Sequence, residues 1–294
     1  MVSAAKRMGL AFAFAALYLF VASIYLTSPP AAACVLASAA VLGVGAFVLS
    51  RAPGRQLNRA FCYFCLTLGA YLAGVYLAHM AVLWGYDAVE TSMWLLRNGP
   101  LLVPLTTMYF TYRFIEKRSG YVKALVALAA ASTLPFVFLN LGGGYVTEFV
   151  QKGRVIVPAN ALGLYRAWAV LTMFWSALSA ALIAVSAVTT RSAARRRQYL
   201  AYLAGLSVLV ATAALAFVSA FDHPWYPPFV GAAMLVFPVL VGFAVLRYGL
   251  FDIKLVIRRT MPYALALAAI GIAHALVFVL LYRLGTGGAE MPRG

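Results

Sequence analysis

Few side chains in this sequence could do chemistry, and most of those that could lie toward the same ends of its apolar stretches. His79, Arg97, Arg166, Asp222 and His223, capped by Trp225, could line a polar pocket for an anionic or amphipathic ligand. The guanidiniums would take the ligand's charge and the indole its apolar part. A plainer reading is that Arg97 and Arg166, each within about two turns of a helix end, snorkel to lipid headgroups. His274 lies mid-span among apolar neighbours, where a neutral imidazole bonded to a facing helix is the ordinary role and proton sensing the sharper one. No Ser/His/Asp or Cys/His arrangement is legible, so no catalytic residue is assigned. The histidines are too scattered for a metal site, and no cofactor is expected.

Two negative observations narrow the chemistry further. All seven carboxylates fall in loops or at helix ends. Carriers driven by protons or sodium usually place one near the midplane, so coupled transport and paired-carboxylate hydrolysis are disfavoured. Cys62 and Cys65 form a CxxC pair on one helix face, but no second pair completes a metal site and nothing nearby would stabilise a thiolate. Apolar packing is their expected role. Gly142-Gly143-Gly144 precedes no Lys-Ser/Thr and reads as a helix stop, not a phosphate cradle.

The elements that must position these residues are long apolar helices. About 20 apolar residues cross a bilayer, and the sequence holds about nine such stretches: roughly 8–27, 30–50, 60–85, 93–115, 121–142, 161–190, 199–221, 228–248 and 261–283. Barrel strands would be shorter and alternating, so the expected class is all-α, a polytopic transmembrane bundle. The connections alternate in charge. Most of the 23 basic residues sit at Lys6–Arg7, 51–59, 113–123, 191–197 and 247–259, while the intervening connections hold five of the seven acids. Basic loops stay cytoplasmic, which places the N-terminus inside and, after an odd number of crossings, the C-terminus outside. Trp84, Tyr86, Trp94, Trp225 and Tyr226 gather at the outer boundary as an aromatic belt. Lys6-Arg7 followed by an apolar run, with Ala31-Ala32-Ala33-Cys34 beyond, also has the outline of an export signal, but the run is long enough to span and another span follows at once.

Composition agrees. The chain is 65% hydrophobic and 10% charged, against about a quarter charged in soluble domains. Its net charge of +16 follows from the positive-inside bias and attraction to anionic lipid, so no nucleic-acid partner is inferred. The partner it must have is the lipid bilayer. Small residues in 37–40, 127–131 and 176–179 would let helices approach closely. Because no loop could hold a folded domain, residues 1–285 are read as one membrane domain and 286–294 as a flexible tail.

The most distinctive local segment is Phe243-Ala244-Val245-Leu246-Arg247-Tyr248-Gly249-Leu250-Phe251-Asp252-Ile253-Lys254-Leu255-Val256-Ile257-Arg258-Arg259-Thr260. Gly249 can end one helix and Asp252 can cap a short amphipathic one over 249–259. Phe251 and Leu255 would lie in the interface, with Lys254 and Arg258 toward phosphates. This segment, which enters a further span at Met261-Pro262-Tyr263, resembles the end of the multi-helix N-terminal membrane region of bacterial sensor histidine kinases. Leu57-Asn58-Arg59-Ala60-Phe61 and Arg97-Asn98-Gly99-Pro100-Leu101-Leu102-Val103-Pro104 carry the likeness loosely over residues 5–265. The resemblance implies an input module in the bacterial inner membrane, with Arg247, Asp252, Lys254, Arg258 and Arg259 coupling to a cytoplasmic or membrane signalling partner and a homodimer left open. Kinase activity is not carried over, because the sequence ends at Gly294 with no phosphoacceptor or nucleotide-binding part. The alternative expectation is an uncoupled permease or lipid-handling protein.

Overall fold

The computed structural model describes residues 29–84, 86–115, 120–152, 155–160 and 162–217, all within one compact unit, Met1–Ala244. These form six helices and a hairpin: α1 Pro29–Arg51, α2 Gln56–Trp84, α3 Tyr86–Phe114, α4 Gly120–Leu141, β1 Val146–Lys152, β2 Val155–Asn160, α5 Leu162–Thr189 and α6 Ala193–Phe217. Each helix corresponds to one expected apolar stretch. The starts differ: α3 begins at Tyr86 and α6 at Ala193, ahead of the apolar runs. A helix need not stop where its apolar stretch does. Ser192 Oγ accepts the Arg195 amide at 3.3 Å as an N-cap for α6.

Among the described residues, three segments have the length and apolarity to cross a bilayer: Gln56–Ala78, Gly120–Leu141 and Gly163–Thr189. The protein is a helical membrane protein. Leu128, Leu134 and Phe138 on α4, with Val170, Phe174 and Val185 on α5, are exposed, as lipid-facing side chains must be. The expected spans 8–27, 228–248 and 261–283, the 249–259 segment and the 286–294 tail lie outside the described residues. Beyond the Gly142–Gly144 helix stop, the long connection after α4 forms a hairpin: β1 and β2 pair antiparallel from Lys152↔Val155 to Val146↔Asn160, with an irregularity between Val146 and Glu148.

Short connections make successive helices antiparallel. The 51–59, 113–123 and 191–197 basic residues therefore share one end of the bundle, and the hairpin marks the opposite end. Arg55, Arg59, Lys123, Arg191, Arg196 and Arg197 are exposed at the basic end.

Lipid supplies no hydrophobic drive between helices, so contact must come from close packing and buried hydrogen bonds. Between α1 and α2, Ser38 Oγ donates to the Gly69 carbonyl at 2.8 Å, and a Cβ on Gly45 would fall 2.7 Å from the Cys65 Cβ. Cys65 is buried in that contact, so one member of the CxxC pair is a packing residue. At the turn below, the buried Asn58 donates Nδ2 to the Val48 carbonyl at 3.0 Å and the Ala52 carbonyl at 3.2 Å. Val48 belongs to the last turn of α1 and Ala52 to the turn just after it, so Asn58 ties the start of α2 to the end of α1.

Helix α3 is the hub. Thr67 and Thr106 hydroxyls share a 3.1 Å hydrogen bond toward α2, and Ser179 Oγ approaches Met108 Sδ at 3.5 Å from α5. Toward α6, Thr111 and Tyr202 share a buried 2.7 Å hydrogen bond inside an aromatic cluster of Phe61, Phe64, Phe110, Phe114 and Tyr199. Between α4 and α5, Trp175 Nε1 donates to Ser132 Oγ at 3.1 Å.

Among the described glycines, Gly99 lies hardest against the backbone of another helix. A Cβ there would sit 2.6 Å from the Ala70 Cβ, 2.9 Å from the Thr67 carbonyl oxygen and 3.1 Å from the Tyr71 amide nitrogen. Two of those atoms are backbone and cannot rotate away, so α2 and α3 would have to part. Gly99→Ala should therefore lower stability by about 1–3 kcal/mol, the usual cost of overpacking, whereas Gly54→Ala, with nothing within 4 Å, should change it little. Thermal unfolding of both variants in nanodiscs checks the difference; equal melting temperatures would refute the contact.

Candidate ligand site at the hairpin end

The residues Arg97-Asn98-Gly99-Pro100 each do a different job on α3. Gly99 meets the α2 backbone, as described. Pro100 removes one backbone donor and leaves the Leu96 carbonyl without its helical partner. Asn98 Oδ1 and the Trp94 carbonyl both accept from Asn140 Nδ2 at 3.2 Å, joining α3 to the end of α4. Asn140 is fully buried, which makes that amide a strong register mark.

Arg97 turns toward an aromatic pair. Its guanidinium carbon lies 5.7 Å from the Tyr145 ring centroid and 6.0 Å from that of Trp168, within cation–π range. Tyr145 and Trp168 arrive from different elements. Trp168 stands in the second turn of α5, with Tyr165 one turn before it at 6.0 Å between centroids. Tyr145 is delivered by the glycine run: α4 ends with the Gly144 and Tyr145 amides both donating to the Leu139 carbonyl, at 2.8 and 3.2 Å, around Gly143 at φ +76°. Only a residue without Cβ takes that left-handed conformation at no cost. The turn folds the chain back so that Tyr145 and Val146 are buried with Leu101 and Trp168, and Phe136 meets the Tyr145 ring edge-on at 6.1 Å. The hairpin begins directly from this cluster, and β2 lies against α2. Four elements thus converge on one half-buried cation.

Burial pushes the Tyr145 hydroxyl up to about 12, and the Arg97 charge beside it opposes that rise. Tyr145 is therefore neutral at physiological pH and can act only as a hydrogen-bonding phenol and a π-face. The arrangement holds a cation with aromatic walls on two sides. Chemically it can accept an anion or the charged head of an amphiphile. It contains no nucleophile–base pair.

Of the expected site residues, the structure describes the side chains of Arg97 and Arg166: Arg97 is in the cluster, while Arg166, between Tyr165 and Trp168 in sequence, is exposed. His79 falls within α2, and Asp222, His223 and Trp225 lie outside the described residues, as do His274 and Arg247, Asp252, Lys254, Arg258 and Arg259. Tyr145, Trp168, Asn98 and Asn140 were not singled out as site residues from the sequence. The available signal was the glycine run with Tyr145 immediately after it. Compared with protein-family models, curated proteins and solved structures, the chain matches none.

A raised phenol has a defined effect on stability. Below the ordinary value near 10, folded and unfolded forms are both neutral and the burial of Tyr145 is fully favourable. Between about 10 and about 12 the unfolded chain ionises while the folded one resists, so stability falls as pH rises. Wild type should therefore lose more stability than Tyr145→Phe over that window, measured by thermal unfolding at stepped pH. Parallel curves would show that the hydroxyl is not buried.

Proposed function

We propose that this chain is a sensory and signal-coupling membrane module of the kind that forms the N-terminal region of bacterial sensor histidine kinases. It would sit in a bacterial inner membrane with about nine spans, the N-terminus cytoplasmic and the C-terminus outside, consistent with the alternating charge of its loops. The observation that carries the reading is the convergence of α3, the end of α4, the hairpin and the start of α5 on Arg97. A ligand that took the Arg97 charge would compete with Tyr145 and Trp168 and so favour one packing of those elements over another. Differential affinity for two packings is what allosteric coupling requires. Arg247, Asp252, Lys254, Arg258 and Arg259 would then transmit the change to a signalling partner at the cytoplasmic face.

The test uses the full chain in nanodiscs with laurate, benzoate and inorganic sulfate as anionic probes. A probe that binds the folded form at about 100 times its Kd should add about 2.7 kcal/mol of stability, and Arg97→Leu should abolish the gain. Ser192→Cys in a background without other cysteines should react with an impermeant thiol reagent only from the cytoplasmic side. Absence of any stabilisation, or stabilisation retained by Arg97→Leu, would contradict the proposal. Flux of a stabilising probe into proteoliposomes would favour an uncoupled permease instead.

A further inference from the structure

A second cationic and aromatic feature lies at the opposite, basic end, on the seam between α2 and α3. Tyr63 of α2 and Tyr109 of α3 meet there with ring centroids 6.4 Å apart, and Tyr63 is 49% exposed. Each tyrosine has an arginine one turn nearer the basic end. Arg59 precedes Tyr63 by four residues and Arg113 follows Tyr109 by four, and because the helices are antiparallel both arginines flank the same side of the ring pair. The Arg113 guanidinium lies over Tyr112 at 4.9 Å and Tyr109 at 5.2 Å, while its buried Nε makes no hydrogen bond among the described residues. Arg59 is exposed and donates Nε to the Pro53 carbonyl at 2.7 Å, which steers its guanidinium without using the terminal nitrogens. On the other side of the ring pair, Leu66 offers apolar surface at 49% exposure.

We propose that this seam binds one anionic phospholipid. The phosphate sits between Arg59 and Arg113, the glycerol region lies against Tyr63 and Tyr109, and an acyl chain runs along Leu66. Three physical requirements meet here. Guanidinium forks match phosphate geometry. Tyrosines belong at headgroup depth, and α2 is one of the helices able to span. The apolar surface continues directly from the cationic part, which suits a lipid and gives nothing to a free anion. The site is independent of the Arg97 cluster, which lies toward the other end of α3.

Native mass spectrometry of the detergent-purified full chain, titrated with phosphatidylglycerol and phosphatidylcholine, tests the proposal. One phosphatidylglycerol per chain should be retained in preference to phosphatidylcholine. The Arg59→Gln/Arg113→Gln double variant should bind it about tenfold more weakly, the loss expected for charge-assisted contacts. Arg59→Gln alone, at an exposed position where folding is not at stake, should lose about threefold by the same reckoning. Arg191→Gln/Arg196→Gln, which removes as much charge from the same end, should change binding less than about twofold. Equal losses in the two double variants would mean diffuse charge attraction and overturn the site. So would unchanged binding in Arg59→Gln, equal retention of the zwitterionic lipid, or displacement of the lipid by inorganic phosphate alone.

Discussion

A guanidinium within a low-dielectric helix bundle must be shared among partners, because its desolvation is otherwise uncompensated. Arg97 is shared between rings from two other elements, Tyr145 after α4 and Trp168 in α5. That constraint fixes much of the hairpin end. To reach Arg97, Tyr145 needs the chain to reverse at Gly143; the reversal launches β1; and β2 then returns against α2 before α5 begins. Asn140, bonded to Trp94 and Asn98 one helix away, holds the same junction in register from the other side.

The rest of the bundle is held by contacts in which a side chain is missing or small. Gly45 admits Cys65, Gly69 offers its carbonyl to Ser38, and Gly99 admits the backbone of α2. Such contacts bring backbones close where hydrophobic burial offers no gain over lipid. They also explain why α3 can serve as hub despite carrying Pro100 and Pro104: its lost backbone bonds are offset by threonine hydroxyls, interhelical amides and aromatic packing with α6.

Helix number and order over the described residues were legible because apolar runs of bilayer length leave few alternatives. Helix starts were not, since Tyr86–Ser92 and Ala193–Gln198 continue a helix through polar residues that hydropathy discounts. Arg97 drew notice as a charge inside an apolar stretch, but its partners did not. Tyr145 stands nearly fifty residues away and Trp168 beyond a hairpin, and an apolar sequence gives each aromatic the same plain appearance whether it faces lipid or a cation. The hairpin itself was hidden because Val155-Ile156-Val157-Pro158 is short and its proline suits only an edge. Arg166 shows the complementary limit. It resembles Arg97 in type and depth, yet it is exposed, and only the turn of α5 that buries Trp168 decides which side it takes.

A double-mutant cycle addresses the Arg97–Tyr145 contact most directly. Arg97→Met, Tyr145→Leu and the pair, unfolded thermally in nanodiscs, should give a combined loss smaller than the sum of the single losses by about 0.5–2 kcal/mol, the coupling of a desolvated cation and ring. Losses that add within about 0.3 kcal/mol would mean the two side chains do not sense each other, and the convergence at the hairpin end would have no energetic basis.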